Sequence, residues 1–200
     1  MRKITIIGAS GHGKVISDIA RLTGYDYIDF LDDDTSKKNC GQYPVVGTCS
    51  LATKISNDIF VAIGNDKIRS TFISELNDKN IPTLIHPKAI LSDDISIGNG
   101  TVIMAGTVIN PNVTIGKGCI INTSSSIDHD SIIGDYVHVA VGSHICGAVK
   151  IESNTWIGAG STIVNNVNIC SECIIGAGAV VINDITTPGT YVGVPAKKIK

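Results

Sequence analysis

Aliphatic residues recur at every sixth position over the C-terminal half of this 200-residue chain. Seventeen consecutive positions in this register, from Ile85 to Val181, carry isoleucine, leucine or valine. Four residues after each of them lies a small or β-branched residue, such as Thr101, Cys119 or Ser143. Neither a heptad nor a two-residue alternation produces this period, so the pattern indicates a repeat architecture.

The six-residue period predicts a parallel β-solenoid. Each hexad supplies a short strand and a corner, with the aliphatic side chain pointing inward and the small residue filling the tight turn. One hexad cannot bury its apolar side chain alone, but stacked coils share a continuous core. If three hexads make a triangular coil, the period is 18 residues, and Gly98, Gly116 and Gly134 follow that spacing. Seventeen hexads then give between five and six coils.

Composition and charge exclude several classes of partner. Aromatic residues make up only 4% of the chain, which suits a narrow core of thin coils, and the net charge is −2. A weakly acidic chain is not expected to bind nucleic acid or a membrane surface. Only four residues separate Lys3 from Gly8, too few for a signal sequence, and no apolar stretch could span a bilayer. We therefore expect a cytoplasmic protein.

The sequence pattern predicts a separate α/β domain over residues 1–84. Residues 85–200 are predicted to form the solenoid and a C-terminal tail. The predicted elements of the first domain are strands at Lys3–Ile7, Tyr25–Phe30, Asp58–Ile63 and near Ile81–Ile85, with helices from Lys14 and at about Lys67–Asn77. Strands that alternate with helices in this way favour a small parallel sheet.

The glycine-containing loop Gly8–Gly13 is a candidate anion site, since a strand, a loop and a helix N-terminus can hold a phosphate on backbone amides. Asp32 and Asp33 follow the next strand, about 24 residues after Gly8, where a carboxylate can reach a ribose or a base. The glycine spacing is GxxGxG and not the GxGxxG of dinucleotide folds. We therefore expect a nucleotide-linked ligand, with a purely structural turn as the competing interpretation.

The solenoid contains three histidines, His129, His138 and His144. The hexad register lets all three project from the surface, where a solvated histidine without a role is the alternative. His129 is flanked by carboxylates, including Asp130, which can fix its tautomer and stabilise the imidazolium, as a general base requires. One coil of 18 residues further lies Gly147, whose backbone amide could approach a thioester carbonyl and stabilise its oxyanion.

Six short motifs occur over essentially the whole chain in the order found in one group of sugar acetyltransferases. They are Gly8–Gly13, Leu31–Asp33, Ala62–Asn65, Asn122–Ser125, Ile127–Asp130 and Val192–Lys197. The chain resembles the bacterial family of hexapeptide-repeat sugar acetyltransferases that includes bacillosamine-pathway UDP-4-amino-sugar N-acetyltransferases and sialic-acid O-acetyltransferase relatives. The resemblance implies a Rossmann-like N-terminal domain and a left-handed parallel β-helix, an exception to the right-handed crossover rule.

The resemblance also implies roles for individual residues. His129 resembles the catalytic base, and Asp130 resembles the acid that raises its basicity. Acetyl-CoA contacts are implied at His138, Gly147, Ala159 and Ala177, and UDP-sugar contacts at Ser10, Gly11, His12, Asp32, Asp33 and Gly64. The family requires no metal and forms homotrimers with active sites between subunits.

These expectations lead to an acetyl-CoA-dependent N-acetyltransferase acting on the 4-amino group of a UDP-4-amino-4,6-dideoxy sugar for bacterial glycan biosynthesis. A sugar O-acetyltransferase acting on sialic acid or a related sugar is the nearest alternative, although the glycine loop favours a nucleotide-linked acceptor. A zinc hydratase of the same fold is a second alternative, but His138 and His144 are six residues apart and belong to successive faces. A non-catalytic scaffold or nucleotide-sugar sensor is a third, which the intact His129–Asp130 pair disfavours.

Overall fold

A computed structural model describes the chain from Met1 to Lys200 as two compact units, Met1–Pro87 and Lys88–Lys200. No helix in either unit combines the length and apolar character needed to cross a membrane.

The first unit contains a five-stranded, largely parallel sheet. Its elements are β1 (Lys3–Ile7), α1 (Gly11–Leu22), β2 (Tyr27–Leu31), β3 (Asn39–Cys40), β4 (Tyr43–Gly47), a 3₁₀ helix (Cys49–Lys54), β5 (Asp58–Val61), α2 (Asp66–Glu75) and β6 (Leu84–Ile85). The sheet order is β3-β4-β2-β1-β5, and β1 pairs in parallel with both β2 and β5. Ile4, Ile6 and Ile7 of β1 are fully buried, as expected for a strand covered on both faces. This arrangement confirms the Rossmann-like fold of the N-terminal part.

Two features of the first unit differ from the sequence prediction. The strand expected near Ile81–Ile85 is shortened to Leu84–Ile85 and lies outside the five-stranded sheet. Pro82 has no backbone N–H, so a strand through that position could not complete its hydrogen-bond ladder. The hairpin of β3 and β4 completes the sheet instead. No side chain of β4 is fully buried, so its hydrophobic pattern does not reveal it.

The second unit is a parallel β-helix made of very short strands. They are β7 (Ile90–Leu91), β8 (Ser96–Ile97), β9 (Val102–Ile103), β10 (Val108–Ile109), β11 (Thr114–Ile115), β12 (Ile120–Ile121), β13 (Ser126–Ile127), β14 (Ile132–Ile133), β15 (His138–Val139), β16 (His144–Ile145), β17 (Lys150–Ile151), β18 (Trp156–Ile157), β19 (Thr162–Ile163), β20 (Asn168–Ile169), β21 (Cys173–Ile175) and β22 (Val180–Val181). After them, β23 (Gly189–Val192) pairs in parallel with β21, and β24 (Lys197–Lys198) pairs in antiparallel fashion with β23.

These strands form three faces. The first face contains β7, β10, β13, β16, β19 and β22, the second contains β8, β11, β14, β17 and β20, and the third contains β9, β12, β15, β18 and β21. Neighbouring strands on a face pair residues 18 positions apart, for example Ile109 with Ile127 and Ile115 with Ile133. The predicted triangular coil of three hexads is therefore confirmed.

The core follows the hexad register. Inward-facing residues such as Ile127 and Ile133 are almost completely excluded from solvent. The small or β-branched residue of each hexad can also contribute hydrogen bonds. Thr101 Oγ1 donates to Gly116 O and Ser143 Oγ donates to Gly158 O, each at 2.8 Å. Hydroxyl groups at this position therefore join one coil to the next.

From Gly100 to Gly178, each corner of the coil contains one residue in the left-handed backbone conformation, and this conformation recurs every six residues. This residue lies three positions after the inward aliphatic residue and has a positive φ, a region that suits glycine, asparagine and aspartate best. We call the corner between the first and second faces the histidine corner, because His129 precedes its second member. Its left-handed residues are Asn112 (φ 60°), Asp130 (φ 61°), Ala148 (φ 56°) and Asn166 (φ 62°).

Candidate functional site

His129 lies at the histidine corner, between β13 and β14, with 57% of its side chain exposed. Its Nδ1 is 2.7 Å from Oδ2 of Asp130. This hydrogen bond is the main reason that the pKa of His129 is raised, and the negative charge of Asp128 adds to it. The same bond lowers the pKa of Asp130. When Nδ1 carries the proton that Asp130 accepts, Nε2 is the nitrogen that can accept a further proton.

Gly147 lies against the ring of His129, as the 18-residue period predicts. A Cβ atom at Gly147 would come within 2.7 Å of Cε1 and Nε2 of the imidazole. The following residue fixes the backbone there, because the Ala148 N–H donates to the His129 carbonyl at 2.8 Å. Only glycine therefore leaves the ring in its present position.

Two asparagines from the preceding coil contact the carboxylates that flank His129. Asn110 Nδ2 donates to Asp128 Oδ1 at 2.7 Å, and that oxygen also accepts the N–H of His129 at 2.8 Å. Asn112 Nδ2 donates to Asp130 Oδ1 at 3.1 Å. Sequence reasoning missed both asparagines, although each precedes its carboxylate by the 18 residues of one coil.

The other two solenoid histidines lie elsewhere on the coil. His138 is on the third face, where its ring packs on Trp156 with centroids 4.4 Å apart and its Nε2 is 3.2 Å from Asn122 Nδ2. His144 is on the first face, and its Nδ1 is 2.9 Å from Ser126 Oγ. No group of three or more histidine, cysteine, aspartate or glutamate side chains is arranged to hold a metal ion.

Ala159 and Ala177 follow β18 and β21, at the corner after the third face, and both are exposed. Of the predicted acetyl-CoA contacts, His138, Ala159 and Ala177 thus belong to the third face and its following corner. Gly147 belongs instead to the histidine corner. Within one chain, these two groups of residues lie on different parts of the coil.

A cleft of about 300 Å³ opens in the first unit. Its lining residues are Gly8, Ser10, Asp32, Asp33, Cys49, Ala62, Ile63, Gly64, Ile68 and Phe72. The cleft therefore brings together four of the six predicted substrate contacts. Gly11 and His12 are in the first turn of α1 and do not line it.

Both carboxylates of the cleft also hold the surrounding backbone. Asp32 Oδ2 accepts the Ala9 N–H at 2.7 Å and Lys37 Nζ at 2.9 Å, while its Oδ1 accepts the Asp34 N–H at 2.9 Å. Burial alone would raise the pKa of Asp32, but these hydrogen bonds outweigh burial and leave that pKa below its ordinary value. Asp33 Oδ1 accepts the Cys49 N–H at 2.9 Å. Asp32 thus holds the glycine loop in place.

A partly buried histidine and a buried arginine lie near the cleft. Burial, assisted by the charge of Arg69, lowers the pKa of His12 to about 4, so the imidazole is neutral at neutral pH. Its Nε2 is buried without a hydrogen-bond partner. Arg69, on α2, is 1% exposed and donates through Nη1 to the carbonyl oxygens of Ile63 and Gly64, both at 2.8 Å. Sequence reasoning missed Arg69, which holds the loop that presents Gly64 to the cleft.

Comparison with protein families assigns both parts of the chain. Residues 3–76 match the PglD N-terminal domain, and residues 94–127 and 148–183 match the bacterial transferase hexapeptide family. Among curated proteins, the UDP-N-acetylbacillosamine N-acetyltransferase of Bacillus subtilis (strain 168) is 35% identical over 113 residues. That alignment covers 52% of this chain and 52% of the relative, so it spans about half of the relative's length.

Solved structures resemble the chain over its full length. The acetyltransferase domain of PglB from Neisseria gonorrhoeae FA1090 is 37% identical with a TM-score of 0.95, and the match covers 100% of both chains. PerB from Caulobacter crescentus, solved with CoA and GDP-perosamine, is 32% identical with a TM-score of 0.94, and the match covers 100% of this chain and 98% of PerB. By sequence and structure, the chain belongs to the bacterial hexapeptide-repeat sugar acetyltransferases that carry a PglD N-terminal domain.

Proposed function

We propose that the chain transfers the acetyl group of acetyl-CoA to the 4-amino group of a UDP-linked 4-amino-4,6-dideoxy sugar. The observation that carries this proposal is the His129 site, in which Asp130 contacts Nδ1 at 2.7 Å and Gly147 lies beside the opposite nitrogen. A base oriented by a carboxylate, next to a backbone without a side chain, suits acyl transfer to an amine. The PglB domain, also solved with acetyl coenzyme A, belongs to the same family.

In the proposed mechanism, the amine nitrogen attacks the thioester carbonyl carbon while Nε2 of His129 accepts the proton that the nitrogen loses. The carbonyl electron pair moves to oxygen, and the backbone amide at Gly147 stabilises the oxyanion. When the oxyanion collapses, the carbon–sulfur bond breaks and the His129 imidazolium returns its proton to the leaving sulfur. The products are an amide and the free thiol of coenzyme A. Asp130 stabilises the imidazolium between the two proton transfers.

The cleft of the first unit is the proposed site of the nucleotide sugar. Ser10 and Gly64 line it beside Asp32 and Asp33, and the neutral His12 lies in the first turn of α1 next to Ser10. In this proposal the phosphates contact the N-terminus of α1 through Ser10, Gly11 and His12, and the aspartates contact the nucleoside. The Bacillus subtilis relative is named for a UDP-linked sugar, whereas PerB was solved with a GDP-linked sugar. A GDP-linked amino sugar is therefore a second candidate acceptor.

We also propose a homotrimer in which neighbouring solenoids complete each active site. His138, Ala159 and Ala177 lie about the third face, whereas His129 lies at the histidine corner. A cofactor held by the first group of one subunit could therefore meet the His129 of the next. Sedimentation equilibrium tests this arrangement directly, and a monomer that retains full activity would contradict it.

The test of the activity is coenzyme A release from acetyl-CoA with four acceptors. They are UDP-4-amino-4,6-dideoxy-N-acetylglucosamine, its galacto epimer, GDP-perosamine and free sialic acid. Wild type and His129→Ala are compared, with product masses determined and folding checked by circular dichroism. General-base help is worth roughly 100- to 10,000-fold, so we expect His129→Ala to lose turnover by about that factor.

Each outcome leads to a different conclusion. Turnover of a UDP-amino sugar that depends on His129 supports the proposal. Turnover of GDP-perosamine alone would mean that the acceptor is linked to GDP and not to UDP. Turnover of sialic acid alone indicates the O-acetyltransferase alternative. Unchanged activity in His129→Ala rules out the mechanism.

A further inference from the structure

The two oxygens of the Asp130 carboxylate have different partners. Oδ2 contacts His129 Nδ1 at 2.7 Å, and Oδ1 accepts a hydrogen bond from Asn112 Nδ2 at 3.1 Å. The asparagine precedes Asp130 by one coil, and both residues have the left-handed φ of the histidine corner, 60° and 61°. Stacked corners with matching backbone conformations therefore place the amide directly beneath the carboxylate.

Asp130 needs such a partner because its surroundings do not otherwise confine it. Its side chain is 54% exposed, and its second oxygen would otherwise face water. A carboxylate on an exposed corner can adopt several rotamers, and the hydrogen bond to Nδ1 requires one that directs an oxygen at the neighbouring imidazole. The amide of Asn112 holds one oxygen, so the other remains directed at His129.

We propose that Asn112 is a positioning residue that fixes Asp130 and, through Asp130, the tautomer and orientation of the His129 imidazole. The inference rests on the proposed function, because it concerns the base of that reaction. Asn112 does not contact the reacting atoms in this assignment. It acts only through the carboxylate, as outer partners do for many oriented histidines.

The surrounding charges agree with this role. The charged groups in contact with His129 are Asp128 and Asp130, while the coils before and after the pair contribute the neutral Asn110, Asn112 and Gly147. The next charged residues along the corner are Asp93 and Asp94, and the carbonyl of Asp94 accepts the Asn112 N–H. The hydrogen bond to His129 is the first cause of the lowered pKa of Asp130, and the bond from Asn112 is the second.

The test uses substitutions that preserve the backbone. Asn112→Gly keeps a residue suited to positive φ and removes the amide. Asn112→Asp keeps the shape but replaces the donor with a second carboxylate next to Asp130. Asn154→Gly is the matched control, because Asn154 has the same left-handed conformation (φ 58°) at a different corner. If Asn112 only satisfied the backbone conformation, Asn112→Gly and Asn154→Gly would both behave like wild type, whereas Asn112→Asp adds a charge next to Asp130 in either case.

Two measurements are made on each full-length variant. The ¹⁵N chemical shifts of the imidazole nitrogens report the tautomer and the titration of His129, whose signals are assigned with His129→Gln. Steady-state kinetics with the best acceptor gives kcat and its dependence on pH. We expect mixed tautomers and a lower His129 pKa in Asn112→Gly. We also expect kcat to fall roughly tenfold, a fraction of the general-base contribution, and further in Asn112→Asp.

Wild-type ring shifts and titration in Asn112→Gly would overturn the proposal whatever the value of kcat, as would altered ring shifts with unchanged kcat. Altered shifts together with reduced kcat, and wild-type behaviour of Asn154→Gly, support it. A wild-type protein inactive on every acceptor overturns the proposed function instead. The ring-nitrogen comparison would still decide whether Asn112 holds the pair, so the two failures are distinguishable.

Discussion

Gly147 meets the imidazole edge that carries Nε2, and this contact makes a prediction at the scale of a single residue. The φ of Gly147 is not in the left-handed region, so alanine is compatible with the backbone. Its Cβ would lie 2.7 Å from the ring, and a side-chain ring yields more easily than a backbone. Gly147→Ala should therefore displace His129 and reduce kcat by roughly 100-fold, a typical cost of an ångström-scale misplacement. Steady-state kinetics and thermal unfolding measure the two effects.

The control for this prediction is a double-mutant cycle. In a His129→Gln background the reacting nitrogen is already absent, so adding Gly147→Ala should cost little further activity. Equal, additive losses in the two backgrounds would show that Gly147 acts independently of the histidine. A large fall in melting temperature would show that the alanine disturbs the coil itself.

The Asp130 carboxylate gives a second residue-scale prediction, which concerns pH. Its hydrogen bond raises the pKa of His129, and the base must be neutral to accept a proton, so wild-type activity rises as pH increases through that raised value. Asp130→Asn removes the charge and still suits the left-handed backbone. We expect the acidic limb of kcat/KM to move to lower pH and the plateau to fall roughly 10- to 100-fold. If the acidic limb of the pH profile did not move in Asp130→Asn, Asp130 would not be responsible for the raised pKa of His129.

At the scale of elements, buried hydroxyl groups join successive coils, and two threonines in equivalent hexad positions test their contribution. Thr101 Oγ1 donates to Gly116 O at 2.8 Å and accepts the Cys119 N–H at 2.9 Å. Thr107 Oγ1 only donates, to Asn122 O, which Ser125 also contacts through its own hydroxyl. Both threonines are completely buried.

Thr101→Val should therefore lower the free energy of unfolding by about 1–3 kcal/mol, because two buried hydrogen bonds of the hydroxyl, to Gly116 O and from the Cys119 N–H, are lost. Thr107→Val should cost clearly less, since Asn122 O keeps its other donors. Urea unfolding of the two variants provides the comparison, in which side-chain volume is almost unchanged. If the two substitutions lowered the free energy of unfolding equally, the hydrogen bond that Thr101 accepts would not add to stability.

The sequence determines how residues stack along an element but not how their side chains meet. The 18-residue period alone places Gly147 beside His129, because it depends only on which hexads share a corner. The bonds from Asn110 and Asn112 depend also on side-chain torsions and on the left-handed corner, which the aliphatic register does not encode. The hairpin of β3 and β4 was missed for a related reason, since strands with few buried side chains leave little hydrophobic pattern.

At the scale of the whole molecule, the proposed reaction divides between the two units. The cleft that contains Ser10 and Gly64 is in the first unit, and the His129 pair is in the second. Binding of the nucleotide sugar and proton transfer should therefore be separable by substitution. Ser10 offers a suitable position, because it is the N-cap of α1, is exposed, and makes no capping hydrogen bond through its side chain.

Ser10→Asp should abolish nucleotide-sugar binding while preserving the fold. Aspartate is as good an N-cap as serine and is favoured by the helix dipole, but its charge repels a diphosphate. Thermal unfolding with UDP- or GDP-linked amino sugar measures binding, since a ligand at 100 times its Kd stabilises the native state by about 2.7 kcal/mol. We expect this stabilisation in wild type and in His129→Gln, and its loss in Ser10→Asp.

Acetyl-CoA serves as the internal control, because its proposed contacts are all in the solenoid. Ser10→Asp should retain the thermal stabilisation by acetyl-CoA and lose the stabilisation by the nucleotide sugar. His129→Gln should retain both and lose only turnover. If Ser10→Asp still bound the nucleotide sugar, the cleft would not be the phosphate site. If His129→Gln lost that binding, His129 would contribute to nucleotide-sugar affinity as well as to proton transfer, and the two functions would not be separable by substitution.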